Sequence, residues 1–367
     1  MNKPDSAKIL SSSPYLFIRT EGGKALVWDY KNHKQFLVDA LYLNRLIELS
    51  CETPCNTRSD IDVELESAQL IGDYTSKLSC WGWDELSHIF HVGTQNVPIT
   101  NATSPTPEQW VDEYLEYCED IAKDQPLLLT EREGPLIQLQ RGDLSPLASV
   151  TLEQVLLSRK TCRSFHGNSV SLETVSTLLF AAFGMIHGEW TDLTENDLAI
   201  TGMRKASPSG GGLHPEEAYL LALRVDGLEP GLYHYRCHDH ALTQIKLGNF
   251  EPEMIALLWD QYYAQGMAFG VFVTARFDKA WWKYKHSRAY RNVLYDVGHV
   301  SQTFLLSATG LGLDTWLTGA FHDHAVESFL EIDGVKEGAL LFLGAGHGNP
   351  VTIDETMKAR LLARGLK

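Results

Sequence analysis

Residues 204–225 read RKASPSGGGLHPEEAYLLALRV, and the order of features in that stretch sets the reading of the fold. Three consecutive glycines, Gly210 to Gly212, lie between Pro208 and Pro215, so the segment is a loop. EEAYLLALRV follows directly and reads as a strand. A bare glycine loop leading into a strand lets something approach its backbone, because glycine has no Cβ to hold a neighbour away. The stretch does not match a phosphate loop, since no Lys-Ser or Lys-Thr pair follows the glycines. It does not match the dinucleotide fingerprint either, because the glycines are contiguous and no strand leads straight into them. A flat face for a planar ligand and a purely structural turn both remain open.

Working outward, the chain from about residue 151 alternates helices and strands. TLEQVLLSRK opens with Thr151 and Gln154 in a capping-box pattern, and SLETVSTLLFAAFGMI (171–186) continues at helical spacing. GLYHYRCHDHALTQI reads as a hairpin and MAFGVFVTARF (267–277) as an apolar strand. Residues 291–313 form a long helix with Val293, Val297, Val300, Phe304, Ala308 and Leu311 on one stripe. GALLFLGAGHG is a final buried strand. The pattern is α+β or α/β around one central sheet.

The first 100 residues read as a small winged-helix-like α/β module. YLFIRTEGGKALVWDY (15–30) suits a hairpin around Gly22 and Gly23, and KQFLVDALYLNRLIELS (34–50) has helical spacing. Residues 101–150 read as a connector with one helix over 108–123, and 151–367 as the main domain.

Composition narrows the function. A net charge of −16 argues against a broad nucleic-acid surface, and no apolar run approaches the ~20 residues of a membrane helix. The start MNKPDSAKILSSSPYLF has no apolar signal core, so a cytoplasmic location is expected. The six cysteines show no metal spacing and read as free thiols. The histidines of YHYRCHDH (His234, His238, His240) and FHDHA (His322, His324) carry only a weak metal signal, with His238 and His240 expected on one strand face.

Two further stretches carry chemistry. SRKTCRSF (158–165) puts Arg159, Lys160 and Arg163 around Thr161, a compact anion pocket in an acidic protein, or else a solvated basic turn. WWKYKHSRAYRNVLYDVGH (281–299) puts Lys283 and Tyr284 beside two tryptophans. Apolar surroundings disfavour the charged lysine, and a neighbouring cation would ease ionisation of the tyrosine, so the pair suits proton transfer; an amphipathic edge is the alternative.

These segments, with DVGHVSQTFLLSATGLGLD and the terminal GAGHG, resemble the flavin-dependent nitroreductase superfamily over about residues 150–350. The closer resemblance is to its SagB-type branch, the azoline dehydrogenases of thiazole- and oxazole-containing peptide biosynthesis. The resemblance implies an α+β fold whose central, mainly antiparallel sheet is flanked by helices, in a homodimer with FMN at the subunit interface. It implies that Arg159, Lys160, Thr161 and Arg163 bind the FMN phosphate and ribityl chain, with Lys358 and Arg360 as a late basic pair. It further implies that Pro208, Ser209, Gly210 and Gly211 lie along the flavin ring, that Thr318 and Gly319 face flavin N5 and O4, and that Lys283 and Tyr284 are catalytic. The branch often has two arginines and a serine where this chain has Arg159, Lys160 and Thr161; phosphate binding is expected to survive that change, because lysine still neutralises and threonine still donates.

The expected activity is oxidation of a peptide- or carrier-bound thiazoline or oxazoline, with Tyr284, assisted by Lys283, moving the proton and oxygen taking the electrons onward. A cyclodehydratase is the expected companion. The alternatives are an NAD(P)H-dependent reductase of nitro, quinone or enone compounds, and a flavin-free scaffold of a peptide-modifying complex.

Overall fold

The computed structural model describes residues 10–50, 59–74, 81–97, 106–140, 143–187, 203–349 and 354–366. Two compact units are present: Met1–Asn101 with His286–Arg288, and Ala102–Lys285 with Ala289–Lys367.

In the first unit, β1 (Leu16–Glu21), β2 (Lys24–Asp29) and β3 (Lys34–Val38) form an antiparallel sheet in that order. Gly22 and Gly23 join β1 to β2 with φ of +57° and +77°, the left-handed pair that matches the twist of a tight hairpin. The helical spacing read over 34–50 holds only from residue 40. Residues 34–38 instead pair with β2, and Asp39 accepts from the backbone of Leu41 and Tyr42, starting α1 (Ala40–Glu48). α2 (Asp60–Ser67) and α3 (Glu85–Gly93) follow. Val27, Leu46, Leu49, Leu65 and Leu70 make the core. A buried Arg45 grips both oxygens of Asp62 at 2.7 Å.

The second unit is built on a seven-stranded, wholly antiparallel sheet. Its strands are β4 (Leu136–Gln138), β5 (Glu216–Ala222), β6 (Gly231–Arg236), β7 (Ala241–Leu247), β8 (Phe269–Arg276), β9 (Asp314–Thr318) and β10 (Glu337–Gly346). The spatial order is β9-β10-β8-β5-β6-β7-β4. The EEAYLLAL stretch is therefore near the middle of the sheet. Its residues alternate between two cores: Ala218, Leu220 and Ala222 face one, Tyr219 and Leu221 the other.

On the first face lie α6 (Leu172–Phe183) and the long α9 (Ala289–Gly310), bringing Val175, Leu179, Val293, Val300 and Phe304. On the second lie α7 (Glu251–Leu257) and α10 (Asp323–Leu330), bringing Met254, Val326 and Phe329. The remaining helices are α4 (Pro107–Ala122), α5 (Leu152–Ser158), α8 (Phe277–Lys283) and α11 (Glu355–Ala363). Residues read from sequence as a connector thus give this unit an edge strand and a sixteen-residue helix, α4. No described helix is long and apolar enough to cross a membrane.

β5 begins with two buried carboxylates. Glu216 accepts from Lys205 at 3.0 Å and lies 3.2 Å from His214 Nδ1. Glu217 accepts from Lys279 at 3.2 Å and from Thr130 at 2.7 Å, and lies 3.1 Å from His234 Nε2. Burial alone would raise the Glu216 carboxyl, but the Lys205 ammonium and the His214 ring outweigh it and hold it at about 2. Free thiols are found at Cys118, Cys162 and Cys237; Cys51, Cys55 and Cys80 lie outside the described residues. His238 does not share a strand face with His240. The chain turns at 237–240, and the His240 ring is buried between Ser176 and Tyr235 at 2.8 Å each.

Removing one member of such a pair leaves a buried charge uncompensated. Lys205→Met should lower the unfolding free energy by about 3–5 kcal/mol in denaturant titrations, and Lys205→Met/Glu216→Gln should recover part of that. Because the folded Glu216 carboxyl sits below its ordinary 4.5, its contribution is complete above that pH and should drain as pH falls towards about 2.

Candidate active site

α8 ends at Lys283, and Tyr284 leaves it in an extended conformation. Lys283 is buried, and its Nζ donates to the Gly211 carbonyl at 3.1 Å. A Cβ built on Gly211 would lie 2.4 Å from the Tyr284 hydroxyl oxygen and 3.0 Å from Lys283 Nζ. Gly211 also has φ +65°, where side chains are strained. What approaches the glycine loop in this chain is the Lys283–Tyr284 pair.

α9 holds the other side of the loop. Ser209 Oγ donates to Asp296 at 2.6 Å and the Gly210 amide to the same carboxylate at 3.4 Å. Ser209 Oγ in turn accepts from the His214 amide at 2.9 Å, closing the loop on itself. Asn292 lies 3.7 Å from where a Cβ on Gly210 would stand, and Ser207 bonds Thr303 at 2.7 Å. Spacings of four and seven put Asn292, Asp296 and Thr303 on one face of α9. Leu213 packs with Ile121, Trp282, Leu128 and Tyr284, which shields the pair on its apolar side.

The electrostatics follow from burial. Desolvation pushes the Lys283 ammonium below the ordinary lysine range, as the apolar setting implied. It pushes the Tyr284 phenol up, and Tyr117 and Asp296 add to that. The eased tyrosine ionisation expected from the neighbouring lysine is therefore not what this geometry produces, since burial dominates and Tyr117 and Asp296 act in the same direction. Burial also raises the Asp296 carboxyl, against the opposing bond from Ser209.

The remaining candidates are set by other elements. Arg159 closes α5, and Lys160 is exposed. Thr161 bridges to Thr315 of β9, and the Cys162 amide donates to the Thr315 carbonyl at 2.8 Å. The Arg163 guanidinium lies 5.7 Å from the centre of the Tyr263 ring. Among the described residues, Arg159, Lys160 and Arg163 take part in no ion pair. Thr318 ends β9, its hydroxyl bonding Gln261 and the Ala320 amide, and Gly319 is exposed beside it. Pro208 is exposed at the loop's start. Lys358 and Arg360 are exposed on α11, whose first residues line an open cavity of about 400 Å³ together with Arg163.

Sequence reasoning missed Asp296 and Tyr117. Asp296 had a signal, an acid three residues after Val293 and four before Val300 on the apolar stripe. Tyr117 had none, because its partner is 166 residues away.

Residues 156–347 match the nitroreductase family, over half of the chain. The chain belongs to the nitroreductase family. It is 29% identical over 215 residues to MJ1384, a nitroreductase-assigned protein of Methanocaldococcus jannaschii, covering 58% of this chain and 98% of that one. It is 30% identical over 177 residues to the trifolitoxin-processing protein TfxB of Rhizobium leguminosarum bv. trifolii, covering 47% of this chain and 46% of TfxB. A crystal structure of a nitroreductase-type protein from Anabaena variabilis shares the fold, with a TM-score of 0.53 and 21% identity over 86% of this chain and 54% of that one. The match thus spans nearly all of the archaeal protein and about half of the other two.

In this nitroreductase-family protein, the atoms nearest a methyl group at Gly211 are the far ends of the Tyr284 and Lys283 side chains. Gly211→Ala should therefore fold, at about 1–3 kcal/mol for the left-handed backbone, while its crystal structure shows Lys283 and Tyr284 displaced. A variant whose Nζ still lay within hydrogen-bond distance of the residue 211 carbonyl would refute the close approach.

Proposed function

We propose that this protein is an FMN-dependent dehydrogenase that converts thiazoline or oxazoline rings of a peptide to thiazoles or oxazoles. The observation that carries the reading is the convergence of Lys283 Nζ and the Tyr284 hydroxyl on Gly211, one group pushed towards its neutral amine and the other kept as a protonated phenol. Reducing a nitro group or a quinone takes up protons that solvent supplies. Oxidising an azoline removes a proton from Cα, and that step needs a base held in place. The relationship to a trifolitoxin-processing protein supports a peptide as the substrate.

The residues fit a flavin mononucleotide. Arg159, Lys160 and Arg163 are cations without a carboxylate partner among the described residues, in a chain of net charge −16, the donor set a phosphate requires, and Thr161 adds a hydroxyl. Bound FMN supplies the acceptor for the hydride that leaves Cβ, and dioxygen takes the electron pair onward. The roles of the chain then divide as follows. The Lys283 amine takes the Cα proton. Tyr284 stays protonated and donates to the ring heteroatom or its neighbouring carbonyl. Asp296 and Ser209 keep the loop where Gly211 holds the lysine. Leu213 and Trp282 keep water from the amine. We place this chemistry in a homodimer with the flavin between subunits, acting beside a cyclodehydratase that makes the azoline.

Incubation of the FMN-loaded protein with an azoline peptide should remove two hydrogens per ring, read by mass spectrometry. The rate should rise with pH as Lys283 loses its proton, with a midpoint below the ordinary 10.5 because its proton affinity is lowered. Lys283→Arg stays charged and should abolish that turnover while keeping the flavin's yellow colour. Fast, saturable reduction by NADPH without azoline oxidation would replace this reading with the reductase. A protein that stays colourless with FMN would leave only the scaffold.

A further inference from the structure

We propose that α4, which precedes the family-matched residues 156–347, belongs to the proton-transfer site, with Tyr117 as the positioning residue through which it acts. This rests on the reading of Lys283 and Tyr284 given above.

The Lys283 carbonyl is one of the last carbonyls of α8, which have no partner within the helix. The Tyr117 hydroxyl donates to it. That carbonyl lies in the planar peptide unit joining Lys283 to Tyr284, so fixing its oxygen fixes the torsions on both sides of the plane. Those torsions decide whether the two side chains meet. In a continuing helix, neighbouring side chains would point about 100° apart. Here Tyr284 turns out of the helix, with φ −127° and ψ 90°, and its hydroxyl comes to the same glycine as the lysine.

A second bond ties the same two helices, because Trp282 Nε1 donates to the Ile121 carbonyl at 2.7 Å in the buried interior. Ile121 also packs against Trp282 and Leu213, while Cys118 is buried one position after Tyr117. Tyr117 itself is 37% exposed, so its ring contributes little to the core and its hydroxyl bond is the feature to explain. α4 therefore does more than cross from one region to the next. It caps α8 at the peptide between the base and the phenol.

Tyr117→Phe tests this in the full-length, FMN-loaded protein. Amide exchange over 282–286 should quicken about ten-fold at an unchanged melting temperature, because one bond of a cap is lost without the packing. With the azoline peptide, kcat should fall about ten-fold at constant KM, with the acid limb of the pH profile displaced; small misplacements of reacting groups cost up to ~100-fold. Exchange, kcat and pH profile all matching the wild type would overturn the proposal. Should Lys283→Ala and Tyr284→Phe both keep full turnover, the dehydrogenase reading fails instead, and the exchange measurement alone decides whether Tyr117 positions the pair.

Discussion

The contact between the Gly211 backbone and the end of α8 is the constraint on which this site depends. Lys283 must reach the Gly211 carbonyl while Tyr284 passes where a side chain at 211 would stand. That is feasible only with a residue that has no Cβ and accepts a positive φ. Three consequences follow. The loop must be held from its other side, which Asp296 does through Ser209 and the Gly210 amide. α8 must end at Lys283, since a further helical turn would carry Tyr284 away. And the strand that follows the loop must be fixed, which the buried charges at the start of β5 achieve.

Two buried lysines show how partners, and not burial, decide charge. Lys205 and Lys283 are both almost fully buried. Lys205 meets the Glu216 carboxylate at 3.0 Å, and that attraction outweighs desolvation, so its ammonium is held more tightly than in water. Lys283 meets a peptide carbonyl, whose dipole is worth far less than a full charge, and desolvation wins. One lysine is a fixed structural cation. The other holds its proton less tightly than a lysine in water. The difference comes from the neighbour each lysine meets, a carboxylate for Lys205 and a carbonyl for Lys283.

Much of the architecture was readable from periodicity. The central strand after the loop, the hairpin formed by β6 and β7, the long helix α9 with its apolar stripe from Val293 to Ala308, and the turn at Gly22–Gly23 lie where the pattern put them, because each rests on local spacing or on a glycine signal, although α9 ends one residue short of Leu311. Residues 34–38 misread as helix because Phe36 and Leu37 fit both periods, and only the ladder to β2 chose between them. The site was legible in its parts and not in its assembly. Gly211 and Lys283 were both singled out, but nothing local says that one is the neighbour of the other across 72 residues. The tyrosine's ionisation was misjudged for a related reason: the sequence shows a lysine beside it, while only the fold shows that the phenol is buried with Tyr117 and Asp296 nearby.

The fold does not select the reaction, since nitroreductase-like scaffolds are compatible with more than one use of a flavin. What this chain adds is a buried lysine and a phenol brought to the same glycine by two backbone features, a glycine that yields space and a helix end that turns. Such an arrangement costs stability. Desolvating a lysine against a peptide carbonyl is unfavourable, and so is a left-handed loop closed over it. A protein that only passed a hydride to a solvent-facing acceptor would have no use for that cost. It becomes intelligible if the lysine must be neutral when it meets a carbon acid, because a base already protonated at working pH removes nothing. On the proposed reading, the strain at Gly211 and the lowered proton affinity of Lys283 are therefore one adaptation: the loop keeps the lysine dry enough to give up its proton more readily, and the same burial holds the phenol beside it protonated.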